Sequence, residues 1–258
     1  SDEVLNSIFD LANKAGINMF DTAAQYGEAE KRVGQFSNLE HKIVTKIGNF
    51  STNKCLNQQL DNSFNHLQRQ NIYGCLFHNV DELINNTDLW RELLVYKEEG
   101  RINKIGYSLY EPQELIDLLE AGLHPDIVQF PYSILDRKFE PFFDLLKKKG
   151  VEIHVRSVFL QGLYFKNPEQ LSNKLLILKP VLSELQNISK QNNLDISELC
   201  LDFIRQNCKI DYAVIGVESE DQLREVSQVK NCNLNWDIIL ETLDSYNINK
   251  ELLNPSNW

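Results

Sequence analysis

The sequence predicts an α/β protein built on a parallel sheet, read as a (β/α)8 TIM barrel with seven of the eight barrel strands visible in the chain. Three observations carry this expectation. Short runs rich in Val, Ile, Phe and Tyr alternate with longer amphipathic runs from end to end. Several of the short runs are apolar almost without alternation, as parallel strands buried on both faces are. The length of 258 residues, 29.9 kDa, matches one barrel of roughly 250 residues.

Strands are expected over 17–23, 42–48, 73–79, 104–110, 126–132, 151–157 and 212–218. Helical periodicity fills the gaps. The opening SDEVLNSIFDLANKAG sets Val4, Ile8 and Leu11 on one face and stops at Gly16. Leu56, Leu60, Phe64 and Leu67 recur at helical spacing within 53–70. Asp88 is placed to cap the helix that Gly100 ends, with Glu92 reaching back to its start. Segments 111–123 and 139–150 follow the same grammar, a stretch over about 168–208 is read as two helices, and 220–229 and 237–247 close the chain.

No linker, low-complexity tract or break in composition divides the sequence, so residues 1–258 are assigned to one domain. The first helix has no strand ahead of it. A closed eight-stranded barrel therefore requires either a chain that continues upstream of Ser1 or a gap beside strand 17–23. The rival architecture is an open, doubly wound sheet. Its Gly-rich first turn, G-x-G-x-x-G, does not occur in the sequence.

Apolar residues make up 42% and charged residues 24%, ordinary for a soluble globular chain. With 26 Lys and Arg against 37 Asp and Glu, the net charge is −11 and the pI near 5.0. Such a surface repels phosphate backbones and anionic bilayers, which argues against nucleic-acid or membrane partners. No apolar run approaches the roughly 18 residues of a spanning helix. The polar N-terminal segment has no signal-peptide core, so a cytoplasmic protein is expected. Cys55, Cys75, Cys200, Cys208 and Cys232 form no C-x-x-C pair and read as reduced thiols, mostly in the core. No metal site is read from the sequence.

Active sites of barrels lie where strand C-termini meet the following loops. The polar residues at those places are Asp21-Thr22 with Tyr26 just beyond, Lys46, His78-Asn79, Ser108, Gln129, Arg156-Ser157 and Gly216 to Ser219. A carboxylate, a phenol, an ammonium and an imidazole thus converge on one rim. A Lys cation beside a Tyr stabilises phenolate and lowers its pKa, and Asp21 supplies the counterion for a buried Lys46. A neutral His beside them can donate a hydrogen bond to a carbonyl. The set suits protonation of a carbonyl oxygen while hydride reaches the carbon. Side chains supply no hydride, so a reduced nicotinamide is implied. Singly, each residue has a plainer reading: a turn acceptor, a packing Tyr, a solvated Lys, a core His. Together, in order at successive strand ends, they favour catalysis. His41, His66, His124 and His154 lack such partners and read as structural.

The stretch from Gly16 through Asp21-Thr22-Ala23, Tyr26-Gly27 and Glu30 resembles the G-x-x-x-x-D-T-A-x-x-Y-G-x-x-E signature of the aldo-keto reductases. Ile43-Val44-Thr45-Lys46, Leu76-Phe77-His78-Asn79, Arg101 to Ser108, Pro131 to Arg137, Ser157 to Gly162, Ile215-Gly216 and Gln222-Leu223 extend the resemblance in order, over most of the chain. It implies a catalytic tetrad of Asp21, Tyr26, Lys46 and His78, with Tyr26 as general acid. It also implies a nicotinamide carboxamide held by Ser108 and Gln129, and Arg156 where many members set a Tyr against the nicotinamide ring. Ser157, Phe159, Gln161 and Gly162 fall in the loop that meets the pyrophosphate. Gly216, Ser219 and Gln222 fall where the adenosine end is held.

The sequence departs from the family pattern in several places. Leu109 follows Ser108 where many members have Asn. Glu218, flanked by Glu220 and Asp221, stands where 2′-phosphate-binding members carry a cation, with Arg224 and Lys230 as the nearby cations. Val226 replaces an Asn that often meets adenine. The cofactor implied is therefore NADPH or NADH. The expected activity is reduction of a small-molecule aldehyde or ketone to an alcohol. The alternative is a nicotinamide-binding regulatory or accessory subunit with little or no turnover. Substrate identity, direction and oligomeric state are left open by the sequence.

Overall fold

The computed structural model describes residues 1–50, 55–229 and 232–258. In chain order, the described elements are α1 (Asp2–Lys14), β1 (Met19–Asp21), α2 (Ala29–Phe36), β2 (Lys42–Ile47), α3 (Leu56–Leu67), β3 (Ile72–Phe77), α4 (Asp81–Asn85), α5 (Asp88–Glu98), β4 (Ile102–Ser108), α6 (Pro112–Glu120) and β5 (Ile127–Pro131). Then follow α7 (Phe143–Lys148), β6 (Glu152–Arg156), α8 (Lys179–Gln191), α9 (Ile196–Gln206), β7 (Tyr212–Ala213), α10 (Glu220–Ser227) and α11 (Trp236–Asp244), with short 3-10 turns between several of them.

Local chemistry accounts for the helix limits. Ser1 caps α1, which Ala15 ends just before Gly16. Glu111 and Glu114 form a reciprocal capping box on α6, as Asp195 and Glu198 do on α9. Asp88 is the first residue of α5 rather than its cap, which is Thr87, and its carboxylate pairs with Arg91 instead. The start of the segment read as helical over 53–70 lies outside the described residues; α3 itself begins at Leu56. Helix α2, not foreseen from the sequence, carries Gly34 inside it. A Cβ there would collide with the backbone of His66 and Leu67 on α3. The glycine that weakens the helical signal is what lets the two helices touch. Cys75 and Cys200 are buried as expected, whereas Cys55 and Cys208 are exposed.

Among the described residues, the seven strands form one sheet in the order β1-β2-β3-β4-β5-β6-β7, every pair parallel. The order never reverses, as it would in a doubly wound sheet. The sheet also curls. Gln129 on β5 donates to Asp21 on β1 at 2.8 Å, although flat strands four places apart would stand roughly 19 Å apart. This is the (β/α) barrel expected. Strand 212–218 shortens to Tyr212–Ala213, because β7 has β6 as its single neighbour. Between the unpaired edges of β1 and β7 lies an apolar cleft of about 620 Å³, floored by Ile8, Ala12, Met19 and Val214.

Strand residues divide by parity except at the starts of β3 and β4, where Ile72 and Ile102 join the outer core and Tyr73 reaches the interior. Ile43, Ile47, Cys75, Phe77, Ile105, Tyr107, Val128, Phe130, Ile153 and Val155 belong to the large core beneath the helices. The intervening residues face the barrel interior, where Val44, Leu76 and Ile127 form a small apolar layer. Below this layer Glu152 gathers Tyr73 at 2.8 Å, His154 at 2.7 Å and the ammonium of Lys104. Burial would raise the Glu152 carboxyl, but the hydrogen bonds from His154, Lys104 and Tyr73 outweigh it and hold the group at about 2, against an ordinary 4.5. That gap corresponds to about 3 kcal/mol of stability. Because the folded value is the lower one, the contribution is present above pH 4.5 and lost as pH falls toward 2. Glu152→Gln is expected to lower neutral-pH stability by about this amount and to flatten its decline in acid. Urea melts at neutral and acid pH measure both effects.

Candidate active site

The residues above the apolar layer lie at the C-terminal ends of the strands. Asp21 ends β1, Lys46 lies near the end of β2, and His78 follows β3. Ser108 ends β4, Gln129 lies on β5 and Arg156 ends β6. Alternation along each strand sends them to the same interior face.

Lys46 is 2% exposed and its ammonium bonds the Asp21 carboxylate and, at 3.1 Å, the carbonyl oxygen of Thr22. The other Asp21 oxygen accepts the Gln129 amide. Burial pulls the Lys46 pKa down, while the charge and hydrogen bond of Asp21 oppose that pull. Next to Lys46 on β2, the Thr45 hydroxyl donates to the buried Glu30 carboxylate at 2.6 Å. This bond ties α2, and so the loop before it, to the strand that carries Lys46.

Tyr26 lies in that loop, half exposed at 51%. Backbone bonds fasten the loop to β2 (Thr22 N–H to Val44 O at 2.9 Å, Ala24 N–H to Lys46 O at 3.0 Å), and Gly27 turns it with φ of 59°. The Lys46 ammonium lies 5.5 Å from the Tyr26 ring centroid, over its face. The His78 ring meets Tyr26 edge-on at 5.4 Å. Tyr26 departs from expectation in one respect. Its pKa is raised, first by burial and then by the Asp21 charge, with Arg156 opposing. Burial and the nearby carboxylate thus favour the protonated phenol. Burial, then Lys46 and Arg156, push the His78 pKa down, which leaves a neutral imidazole. Its Nδ1 is buried without a hydrogen-bond partner among the described residues.

The sites expected to hold a cofactor divide into two groups. Ser108 is buried, and its hydroxyl makes no hydrogen bond among the described residues. Gln129 gives its N–H to Asp21 and keeps its carbonyl oxygen for a donor. An acceptor and a hydroxyl in this arrangement fit a carboxamide. Arg156 bonds Leu109 O at 3.0 Å and lies over the Tyr110 ring at 4.3 Å. Sequence reasoning missed Tyr110; its place just past the end of β4 was the available signal. The loop after β6 is strained. Ser157, Leu160 and Gln161 are non-glycine residues at φ of 60°, 46° and 48°, followed by Gly162 at 79°. Each non-glycine costs of order 1–3 kcal/mol, and such strain gathers at functional sites. Phe159 lies in this loop against Phe165.

At the far end, Ser219 caps α10 by accepting from Gln222 N–H at 3.2 Å, and Gln222 accepts from Glu218 N–H at 2.7 Å. Both residues are thus committed to the helix start. Gly216 borders open space. Val226 packs with Leu223 against α1. Arg224 pairs with Glu220 at 2.6 Å, and Lys230 lies outside the described residues.

Strand order and rim together define an α/β-barrel protein with an interior cluster of titratable groups at its catalytic end. The model of the aldo/keto reductase family matches residues 1–242, and the chain belongs to that family. It is 26% identical over 271 residues to the Bacillus subtilis oxidoreductase YqkF, covering 93% of this chain and 86% of that one. It is 30% identical over 163 residues to the Schizosaccharomyces pombe oxidoreductase C28F2.05, 57% of each. Its fold is similar to that of aldo-keto reductase AKR11C1 from Bacillus halodurans in its holo form, with a TM-score of 0.74 at 23% identity over 92% of this chain and 86% of that one. It is also similar to MGS-M4, an aldo-keto reductase from a deep-sea metagenome library, with a TM-score of 0.72 at 19% identity over 96% and 87%. By family the chain is an oxidoreductase, and members generally use NAD(P)H. Among the described residues no helix is long and apolar enough to cross a membrane.

Proposed function

We propose that residues 1–258 act as one domain that reduces an aldehyde or ketone to an alcohol with NAD(P)H, with Tyr26 as proton donor. The observation that carries this reading is the buried Lys46–Asp21 pair set beneath a protonated phenol and a neutral imidazole on one rim. When bound, NAD(P)H supplies the hydride that no side chain can. The Tyr26 hydroxyl gives its proton to the carbonyl oxygen. His78 offers an N–H that fixes the carbonyl's direction. Asp21 holds Lys46 in place under the Tyr26 ring. When the dinucleotide is bound, Ser108 and Gln129 would hold its carboxamide, with Arg156 beside the nicotinamide. Ser157, Phe159, Gln161 and Gly162 would line its pyrophosphate, and Gly216, Ser219 and Gln222 would flank its adenosine. A cofactor-dependent absorbance assay with both nicotinamides over a panel of carbonyl compounds tests the proposal. Cofactor binding with no turnover on any of them would instead fit an accessory subunit.

The choice of dinucleotide follows from charge. A 2′-phosphate near α10 would meet Glu218, Glu220 and Asp221, and Arg224 is already paired with Glu220. NADH is expected to bind at least as tightly as NADPH. Glu220→Gln, which releases Arg224, is expected to tighten NADPH several-fold and leave NADH unchanged. Calorimetric titration with each dinucleotide checks this.

A further inference from the structure

We infer that Arg156 biases the bound cofactor toward its reduced form. The inference rests on the reading above, which sets the nicotinamide ring beside this residue. Arg156 ends β6 on the interior face. Its guanidinium donates to Leu109 O at 3.0 Å and lies 3.5 Å from the Ser157 hydroxyl. Tyr110 takes one face of the planar group, with Cζ 4.3 Å from the ring centroid. Arg156 is only partly buried, so its side chain is still open to the rim.

Among the described residues no carboxylate pairs with Arg156. The two Asp21 oxygens are taken by Lys46 and Gln129. Asp136 is buried, with Lys138 at 3.9 Å. Lys46 is thus ion-paired with Asp21, whereas Arg156 is hydrogen-bonded to no carboxylate, and the buried Asp136 feels its charge only from a distance. The Arg156 field reaches the neighbouring groups: it opposes protonation of His78 and Lys46 and favours ionisation of Tyr26. A guanidinium does not deprotonate in a protein, so this field persists at every working pH.

Charge then separates the two forms of the cofactor. A reduced nicotinamide ring is neutral and an oxidised one is a cation. A fixed cation in contact with the ring repels the oxidised form and leaves the reduced form untouched. For unit charges about 4–5 Å apart, the repulsion runs from about fivefold in affinity at the dielectric of water to several hundredfold at that of a protein surface. A Tyr in the same place carries no charge and exerts no such bias.

Isothermal titration of the wild type, Arg156→Gln and Arg156→Lys with NADH and NAD⁺, repeated with NADPH and NADP⁺, tests the inference. The wild type is expected to bind the reduced form tighter by at least about fivefold. Arg156→Lys keeps most of that ratio. Arg156→Gln loses most of it, chiefly by binding the oxidised form better. The ratio is insensitive to partial unfolding, which weakens both forms alike. Binding of both forms with the same ratio in wild type and Arg156→Gln would overturn the inference while sparing the nicotinamide reading. Failure of the wild type to bind either form would overturn both.

Discussion

Tyr26→Phe is expected to lower carbonyl reduction by about 10²–10⁴-fold, the range for loss of a positioned general acid, while dinucleotide affinity changes little. The variant removes one oxygen and keeps the ring, so the contacts with His78 at 5.4 Å and Lys46 at 5.5 Å persist. The raised phenol pKa sets the pH dependence. Burial and the Asp21 charge hold Tyr26 above its ordinary 10.0. The reductive rate should therefore stay level through neutral pH and fall only beyond about pH 10, where the proton is lost. Steady-state rates across pH, with dinucleotide titration of the variant, measure both effects. Turnover of Tyr26→Phe near the wild-type rate would remove Tyr26 from the mechanism.

The second large effect belongs to Asp21→Asn. Lys46 is 2% exposed, and the Asp21 carboxylate is its counterion. Removing one partner of a buried pair leaves an uncompensated charge and costs about 3–5 kcal/mol. Burial then acts unopposed and drives Lys46 toward its neutral form. The folded Lys46 pKa falls below its unfolded value, ordinarily 10.5, so the unfolded chain binds more protons and stability rises with pH. The stability deficit of Asp21→Asn should thus shrink as pH climbs toward 10.5. Pairing it with Lys46→Met should cost less than the sum of the two single changes, because no buried charge then remains. Urea melts of the two single variants and the double variant, at neutral and alkaline pH, test this.

Much of this was legible in the sequence because parallel strands advertise themselves. Runs such as Lys42–Ile47 and Ile127–Pro131 are buried on both faces, and their composition says so. The candidate site was legible because Asp21, Lys46 and His78 stand at three successive strand ends, with Tyr26 in the loop after the first. What escaped depends on contacts between distant segments. Gly34 weakens the signal for α2 and is explained only by the backbone of α3. The bond between Gln129 and Asp21 joins β5 to β1 and exists only because the sheet curls. It also changes the chemistry, since Asp21 then divides its oxygens between Lys46 and Gln129. The direction of the Tyr26 pKa was misjudged because burial of the phenol, the leading cause of its rise, is set by the fold around it, and the Asp21 charge adds to that rise. Ser219 and Gln222 carry a helix-capping role that the sequence resemblance alone did not distinguish from cofactor contact.

The proposed reaction moves hydride from a nicotinamide to a carbonyl carbon while Tyr26 protonates the oxygen. Its most direct test uses dinucleotide deuterated at C4, on the face that donates, with each carbonyl compound that the protein turns over. Mass spectrometry of the alcohol is predicted to find a single deuterium on the former carbonyl carbon, and none in product formed without the protein. An alcohol product free of deuterium, or a cofactor that binds and is never consumed, would contradict the account.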